Sequence, residues 1–154
     1  MTGPAAGWLF KGAELRESGL APPEGLTLTP AGHVAMVAGE AAIRQSIILL
    51  LTTTPGERVM RPDYGCPLHR LMFQPNDATT AGLAIHYVRQ SLLRFEARID
   101  IVALDAAAAP LREDEDAALD DAETLLVSLV YKVRATNRTA RLDFEIGLSG
   151  EGVR

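Results

Sequence analysis

The sequence is short of several features that mark common functions. Cysteine occurs once, as Cys66, so no disulfide scaffold forms within the chain, and a reducing cytoplasm is the expected setting. Lysine is scarce, with 2 Lys against 13 Arg. Basic residues are no more abundant than acidic ones: 15 Lys and Arg face 20 Asp and Glu, for a net charge of −5. That balance argues against a protein that coats DNA. Long apolar runs are missing too. The longest, Ile47 to Leu51, has five residues, against the roughly 20 a membrane-spanning helix needs. The first residues, MTGPAAGWLFKGAELRESG, lack the charged start and apolar middle of a signal peptide.

What remains is ordinary globular material. A chain of 154 residues, 47% hydrophobic and 23% charged, fits one domain with one core. The charge is unevenly placed. Arg112 to Glu123 reads REDEDAALDDAE, seven acids and one base, which leaves 13 acids and 14 bases elsewhere. The chain is thus a near-neutral domain carrying an acidic insert. The insert lacks the D-x-[DN]-x-[DN]-G pattern of a calcium loop, so it reads as a solvated crossing, the loop 106–123.

Periodicity divides the chain. Residues 1–24 are rich in Gly, Ala and Pro and read as a flexible extension; the cluster Trp8, Leu9, Phe10 offers a second reading, an arm that docks on a partner. Residues 25–150 form the domain. Leu26–Thr29 and Val34–Val37 flank Pro30-Ala31-Gly32-His33, a hairpin signature. Glu40 to Thr53 places Ile43, Ile47, Leu50 and Leu51 on one helix face, with a strand as the competing reading of its β-branched stretch. Pro55-Gly56 stops it. A loop follows to Pro67, then a short helix over Leu68–Phe73. Asn76 or Asp77 caps a longer helix reaching about Arg98, with the stripe Ala81, Ile85, Val88, Leu92 and Phe95. Beyond it the period falls to two. Ile99, Ile101 and Ala103 alternate along one strand. Leu125, Val127, Leu129, Tyr131 and Val133 face one way along a second. Leu142, Phe144, Ile146 and Leu148 do so along a third, joined to the second through Thr136–Thr139. The expected fold is α+β: a small antiparallel sheet with helices packed on one face, ending in a C-terminal β-hairpin.

Candidates for chemistry are few. His33, His69 and His86 fall in three separate elements, and Cys66 has only His69 nearby, so no metal site is expected. Pro55-Gly56-Glu57-Arg58 lacks the Lys and Ser/Thr of a phosphate loop. No nucleophile elbow surrounds Ser46, Ser91, Ser128 or Ser149. Glu57, Asp63 and Glu96 could in principle supply a glycosidase pair. Each has an Arg close in sequence, which favours the charged carboxylate and disfavours a general acid. No catalytic residue and no cofactor is expected.

Two stretches carry a resemblance. Ile43 to Asn76 reads IRQSIILLLTTTPGERVMRPDYGCPLHRLMFQPN, and Phe95 to Ile99 reads FEARI. The helix, then T-x-P-G-E-R, M-x-P-x-Y-G and a short L-x-x-x-x-F segment, resembles the lysozyme-like baseplate wedge family of contractile phage tails, type VI secretion systems and extracellular contractile injection particles. The similarity spans roughly residues 26–148. It implies a structural protein, six copies around a baseplate, bound to two larger wedge proteins and close to hub and spike proteins, with no nucleic acid and no membrane insertion. It also implies likeness to the sheath protein's strand-exchange domain, so that the sheath attaches by strand addition along Leu142, Phe144, Ile146 and Leu148. The implied setting is cytoplasmic assembly followed by incorporation into a tail or tail-like particle. A peptidoglycan-degrading hydrolase is the alternative that the family's label suggests. The resemblance marks Gly56, Glu57, Arg58, Pro62, Tyr64 and Gly65 as the family loop. It places the family's Glu-Pro-Arg wedge-contact motif on Glu96, Ala97 and Arg98, where Ala removes the conformational lock that Pro supplies.

Overall fold

The computed structural model describes residues 6–8, 10–11, 25–26, 29–108, 123–149 and 152–153. Residues 109–122 of the acidic insert, and most of the expected extension over 1–24, lie outside these. The chain divides into two units, Met1–Leu49 and Leu50–Arg154.

In the first unit, two short stretches of residues 1–24 are paired. β1 (Ala6–Trp8) runs antiparallel to β4 (Met36–Ala38), and β2 (Phe10–Lys11) runs antiparallel to β3 (Gly25–Leu26). The turn expected at Pro30–His33 is present: Thr29 N–H donates to His33 O at 2.7 Å, and Gly32 N–H donates to Thr29 O at 2.9 Å. Thr27 and Leu28, in the expected hairpin's first strand, lie outside the described residues. Helix α1 (Gly39–Thr52) follows β4 directly and runs across the division between units. Its buried residues are Ala42, Ile43, Ile47, Ile48, Leu50 and Leu51. They cover more than one helical stripe, as the unbroken Ile47–Leu51 run requires.

The second unit is a sheet with helices on one face. A 3-10 helix (Pro67–Leu71) buries Leu68 and Leu71. Helix α2 (Ala78–Phe95) begins at Asp77, whose carboxylate accepts from Thr80 N–H at 2.8 Å. That bond satisfies one of the helix's orphan donors. α2 ends earlier than expected, at Phe95, because Glu96 leaves helical geometry at φ −122° and ψ 74°. Its buried face is also rotated from the expected stripe. Thr80, Ala84, Val88, Ser91 and Leu92 are buried, while Ala81, Ile85 and Phe95 are only half-buried. Two polar residues can line this face because they are small and bonded: Thr80 Oγ1 donates to Pro75 O at 2.7 Å, and Ser91 bonds Cys66.

The sheet holds β5 (Ile99–Ala108), β6 (Thr124–Val133), β7 (Thr139–Gly147) and β8 (Gly152–Val153) in that order, all antiparallel. The alternation expected for β6 and β7 is present. Leu125, Val127, Leu129, Tyr131 and Val133 are buried beside Leu142, Phe144 and Ile146. β5 departs from simple alternation. Its register against β6 slips between Ile101 and Ala103. Val102 is therefore an extra residue, a β-bulge. The inward positions change from Ile99 and Ile101 to Leu104 and Ala106.

Two bonds set the phase of the β6–β7 ladder. Val133 N–H donates to Arg138 O, and Leu148 N–H donates to Glu123 O. With the pairing Leu129↔Leu142 and Val127↔Phe144, the even-numbered residues of β7 bond to β6. The N–H groups of Arg141, Asp143 and Glu145 then point away from β6. β8 covers only Ile146 and Gly147.

Candidate functional site: the arginine-lined corner

The loop of the first stretch that carried the resemblance and the whole of the second lie in the second unit, and they meet. The loop from Thr53 to Cys66 is tied at its base. Cys66 N–H donates to Thr53 O at 2.9 Å, Gly56 N–H to Pro62 O at 2.8 Å, and Glu57 N–H to Thr54 O at 3.1 Å. Thr54 N–H returns a bond to Glu57 Oε2 at 2.8 Å. Gly65 is required here. It sits at φ +133°, and a Cβ would lie 2.4 Å from Thr53 O and 2.9 Å from Pro55 N. Only a residue without Cβ lets the two loop strands approach so closely.

The loop delivers Tyr64 to the end of α2. Its ring stands 5.2 Å from that of Phe95, tilted by 58°, a favourable aromatic geometry. The Arg58 guanidinium lies 4.3 Å from the Tyr64 ring centroid, and that of Arg94 lies 5.0 Å from the Phe95 centroid. These are cation–π contacts. Arg94 also reaches Asp63 at 3.4 Å. Burial pushes the Tyr64 phenol's pKa up, with Arg58 pulling the other way.

Glu96 and Arg98 sit at the same corner. Arg98 Nε donates to Glu96 Oε1 and Arg98 Nη2 to Glu96 Oε2, both at 2.6 Å. This is a bidentate fork, the strongest form of the pair. It is lopsided in exposure: the Glu96 side chain is 3% exposed and that of Arg98 40%. The hydrogen bonds that Arg98 donates to Glu96 raise its pKa. Ala97 is exposed. The corner it occupies is held by Glu96 N–H on Leu92 O at 2.9 Å, by Arg134 N–H on Arg98 O at 3.0 Å, and by the fork itself.

Each carboxylate weighed as a catalytic acid is thus held by a donor: Glu57 by Thr54 N–H, Asp63 by Arg94, Glu96 by Arg98. His69 and His86 are exposed, and the His86 ring lies against Tyr87 at 5.9 Å. His33 is exposed in the first unit. Cys66 is buried, which pushes its pKa up to about 11 against the lowering bond from Ser91. Among the described residues, no three His, Cys, Asp or Glu gather as a metal site. None of their helices is long and apolar enough to cross a membrane.

The Baseplate wedge protein gp25 family model matches residues 37–138. The chain belongs to that family. The match includes the whole loop and the Glu96–Arg98 corner and stops before β7. Among solved structures, this wedge-family chain is similar to one from Geobacter sulfurreducens named as a candidate tail lysozyme. The two are 35% identical with a TM-score of 0.61, over 77% of this chain and 100% of that one. It is also similar to a chain of the anti-feeding prophage baseplate, at 25% identity and a TM-score of 0.60, over 71% of this chain and 80% of that one. No curated protein matches it.

The four residues expected to form a docking strand are placed differently from the corner. Leu142, Phe144, Ile146 and Leu148 are all buried in the core, because their alternation is the alternation of the sheet's inner face. Their side chains are not available to a partner. What β7 offers outward is the backbone of Arg141, Asp143 and Glu145. Glu96, Arg98, Tyr64 and Gly65 are named by their motifs in the sequence, whereas their convergence, and Phe95 and Arg94 as the surfaces on which the loop rests, emerge only in the fold.

Proposed function

We propose that this wedge-family chain is a structural component of a contractile injection baseplate, joined to the larger wedge proteins through the Glu96–Arg98 corner. The observation that carries this reading is the meeting of the two family stretches around Tyr64. A loop braced by main-chain bonds and a bidentate ion pair together form a rigid, arginine-lined surface. Arginine suits bidentate pairing at protein interfaces. The similarity to an anti-feeding prophage baseplate chain supports the same assignment. Copies sit around the baseplate axis, six to a particle, near the hub and spike. Assembly takes place in the cytoplasm before incorporation into the finished particle.

The sheath attaches by strand addition along the outer edge of β7. There the N–H groups of Arg141, Asp143 and Glu145 are directed away from β6, and β8 covers only the end of the strand. Backbone bonds at such an edge supply affinity, and flanking side chains supply specificity. Because the inward side chains of β7 are core, the discriminating variant is Asp143→Pro, which removes one outward N–H and leaves the β6 ladder intact. Particles carrying it are expected to assemble baseplates without sheath. Normally sheathed particles would exclude β7 as the docking edge.

A hydrolase reading draws on the similarity to a candidate tail lysozyme. It requires a carboxyl group free to act as a general acid, whereas Glu57, Asp63 and Glu96 each accept hydrogen bonds. The purified chain is expected to release no fragments from peptidoglycan; release abolished by Glu96→Gln would favour the hydrolase.

A further inference from the structure

The tip of the Thr53–Cys66 loop has a composition its position does not explain. Arg61 N–H donates to Arg58 O at 3.0 Å, closing a four-residue turn. Its two central positions carry Val59, 93% exposed, and Met60, 91% exposed. Turn centres usually hold Gly, Pro, Asn, Asp or Ser, for conformational reasons. Two large apolar side chains there leave their whole surface in water, against the hydrophobic driving force.

A loose loop would not account for this, since the base of the loop is fixed by the bonds already described and by Gly65. The tip is therefore presented ready-made, and most of the ordering cost of binding has been met before a partner arrives. The two residues that flank the apex directly, Arg58 and Arg61, are both arginines. Glu57 and Asp63 are engaged with Thr54 and Arg94. Arg58 stacks on Tyr64. Arg61 forms no ion pair among the described residues. An apolar apex with a guanidinium rim matches the usual anatomy of a binding anchor.

We propose that Val59 and Met60 form a plug that enters an apolar socket rimmed by carboxylates on a neighbouring baseplate protein. The proposal rests on the baseplate reading. The partner is a different protein and not a second copy. Two exposed carboxylates of this chain's sheet, Asp100 and Asp143, are paired with Arg134 and Arg141, at 2.7 and 2.8 Å.

Two experiments on assembled particles test it. Cells produce the full chain with Met60→p-benzoylphenylalanine, and purified particles are irradiated. The expected adduct joins Met60's position to a segment of another particle protein in which apolar residues are flanked by Asp or Glu. An adduct between two copies of this chain, an adduct to a segment without acidic flanks, or no adduct at all overturns the plug. In parallel, Val59→Ser with Met60→Ser is expected to melt like wild type and to enter particles about a hundredfold less, since each of the two lost apolar anchors weakens association by roughly tenfold. Wild-type incorporation of the serine variant, or a melting point well below wild type, also overturns it. If the unaltered chain is missing from purified particles, the baseplate reading has failed, and that outcome is visible before either variant is made.

Discussion

Arg98→Ala isolates the energetics of the corner. The substitution leaves the Glu96 carboxylate, 3% exposed, without the guanidinium that donates to both its oxygens at 2.6 Å. Breaking a fully buried pair costs about 3–5 kcal/mol, and an exposed pair about 0–1. Because the Arg98 side chain is 40% exposed, water reaches one side of the fork, and the expected cost falls to about 2 kcal/mol. For a chain of this size that corresponds to a melting point lower by about 4–8 °C. Glu96→Ala is milder, about 1 kcal/mol, since the freed Arg98 head can turn to solvent. The double variant is expected to match Glu96→Ala alone, so the cycle returns a coupling of about 2 kcal/mol. Thermal melts of the four purified proteins at neutral pH supply the numbers. Strictly additive single effects would refute the account of the fork as a cooperative pair. A double variant that folds yet fails to enter particles separates a contact role from a purely internal one.

Other consequences are open to direct measurement. Gly65→Ala forces a Cβ to within 2.4 Å of Thr53 O at a φ that suits only glycine, so a loss of about 3 kcal/mol is expected; an unchanged urea midpoint would contradict the close approach. Asp77 and Asp143 both have pKa values below the ordinary carboxylate range. Thr80 N–H leads for Asp77; for Asp143, burial raises the value but the Ser128 and Arg141 bonds outweigh it. Their stabilisation is therefore present above the ordinary pKa and lost as pH falls through the lowered one. Urea midpoints measured from neutral to strongly acid pH should drop there, and Asp77→Asn with Asp143→Asn should flatten the drop. Cys66, with its pKa pushed up to about 11, should resist a disulfide reagent at neutral pH and react only as urea unfolds the chain; fast labelling of the native protein would contradict its burial.

The parts of this fold that were legible in the sequence are those where one rule dominates. β6 and β7 alternate without interruption because one face is buried and the other is not. Asp77 announces α2 through capping chemistry. Where apolar residues fall on both faces, the pattern stops discriminating. Ile99 to Leu104 includes Ile101, Val102, Ala103 and Leu104 in succession, so a bulge at Val102 leaves no mark on the alternation. The buried face of α2 is masked in the sequence because Thr80 and Ser91 count as polar, although their hydroxyls are satisfied by Pro75 O and Cys66. The pairing of β1 with β4 joins residues about thirty apart, and short Gly- and Ala-rich segments carry no register information. At the corner, the motif residues could be named one by one. Their meeting depends on the path of a loop braced by main-chain bonds, which side-chain identity does not encode. Val59 and Met60 did carry a readable signal: two large apolar residues between two arginines, inside a loop.

The bulge at Val102 also bears on solubility. β5 is an edge strand ten residues long, and a straight edge of that length is a template on which identical chains can stack. The extra residue breaks the regular spacing of its outward N–H and C=O groups and increases the local twist, while Asp105 leaves an exposed carboxylate on the strand. A second copy approaching β5 edge to edge meets a ladder interrupted by the bulge. Within the described sheet, the β5 edge is thereby a poorer template for self-stacking than a straight strand of the same length, while on the other side β8 pairs with only Ile146 and Gly147 of β7, the strand along which sheath addition is proposed.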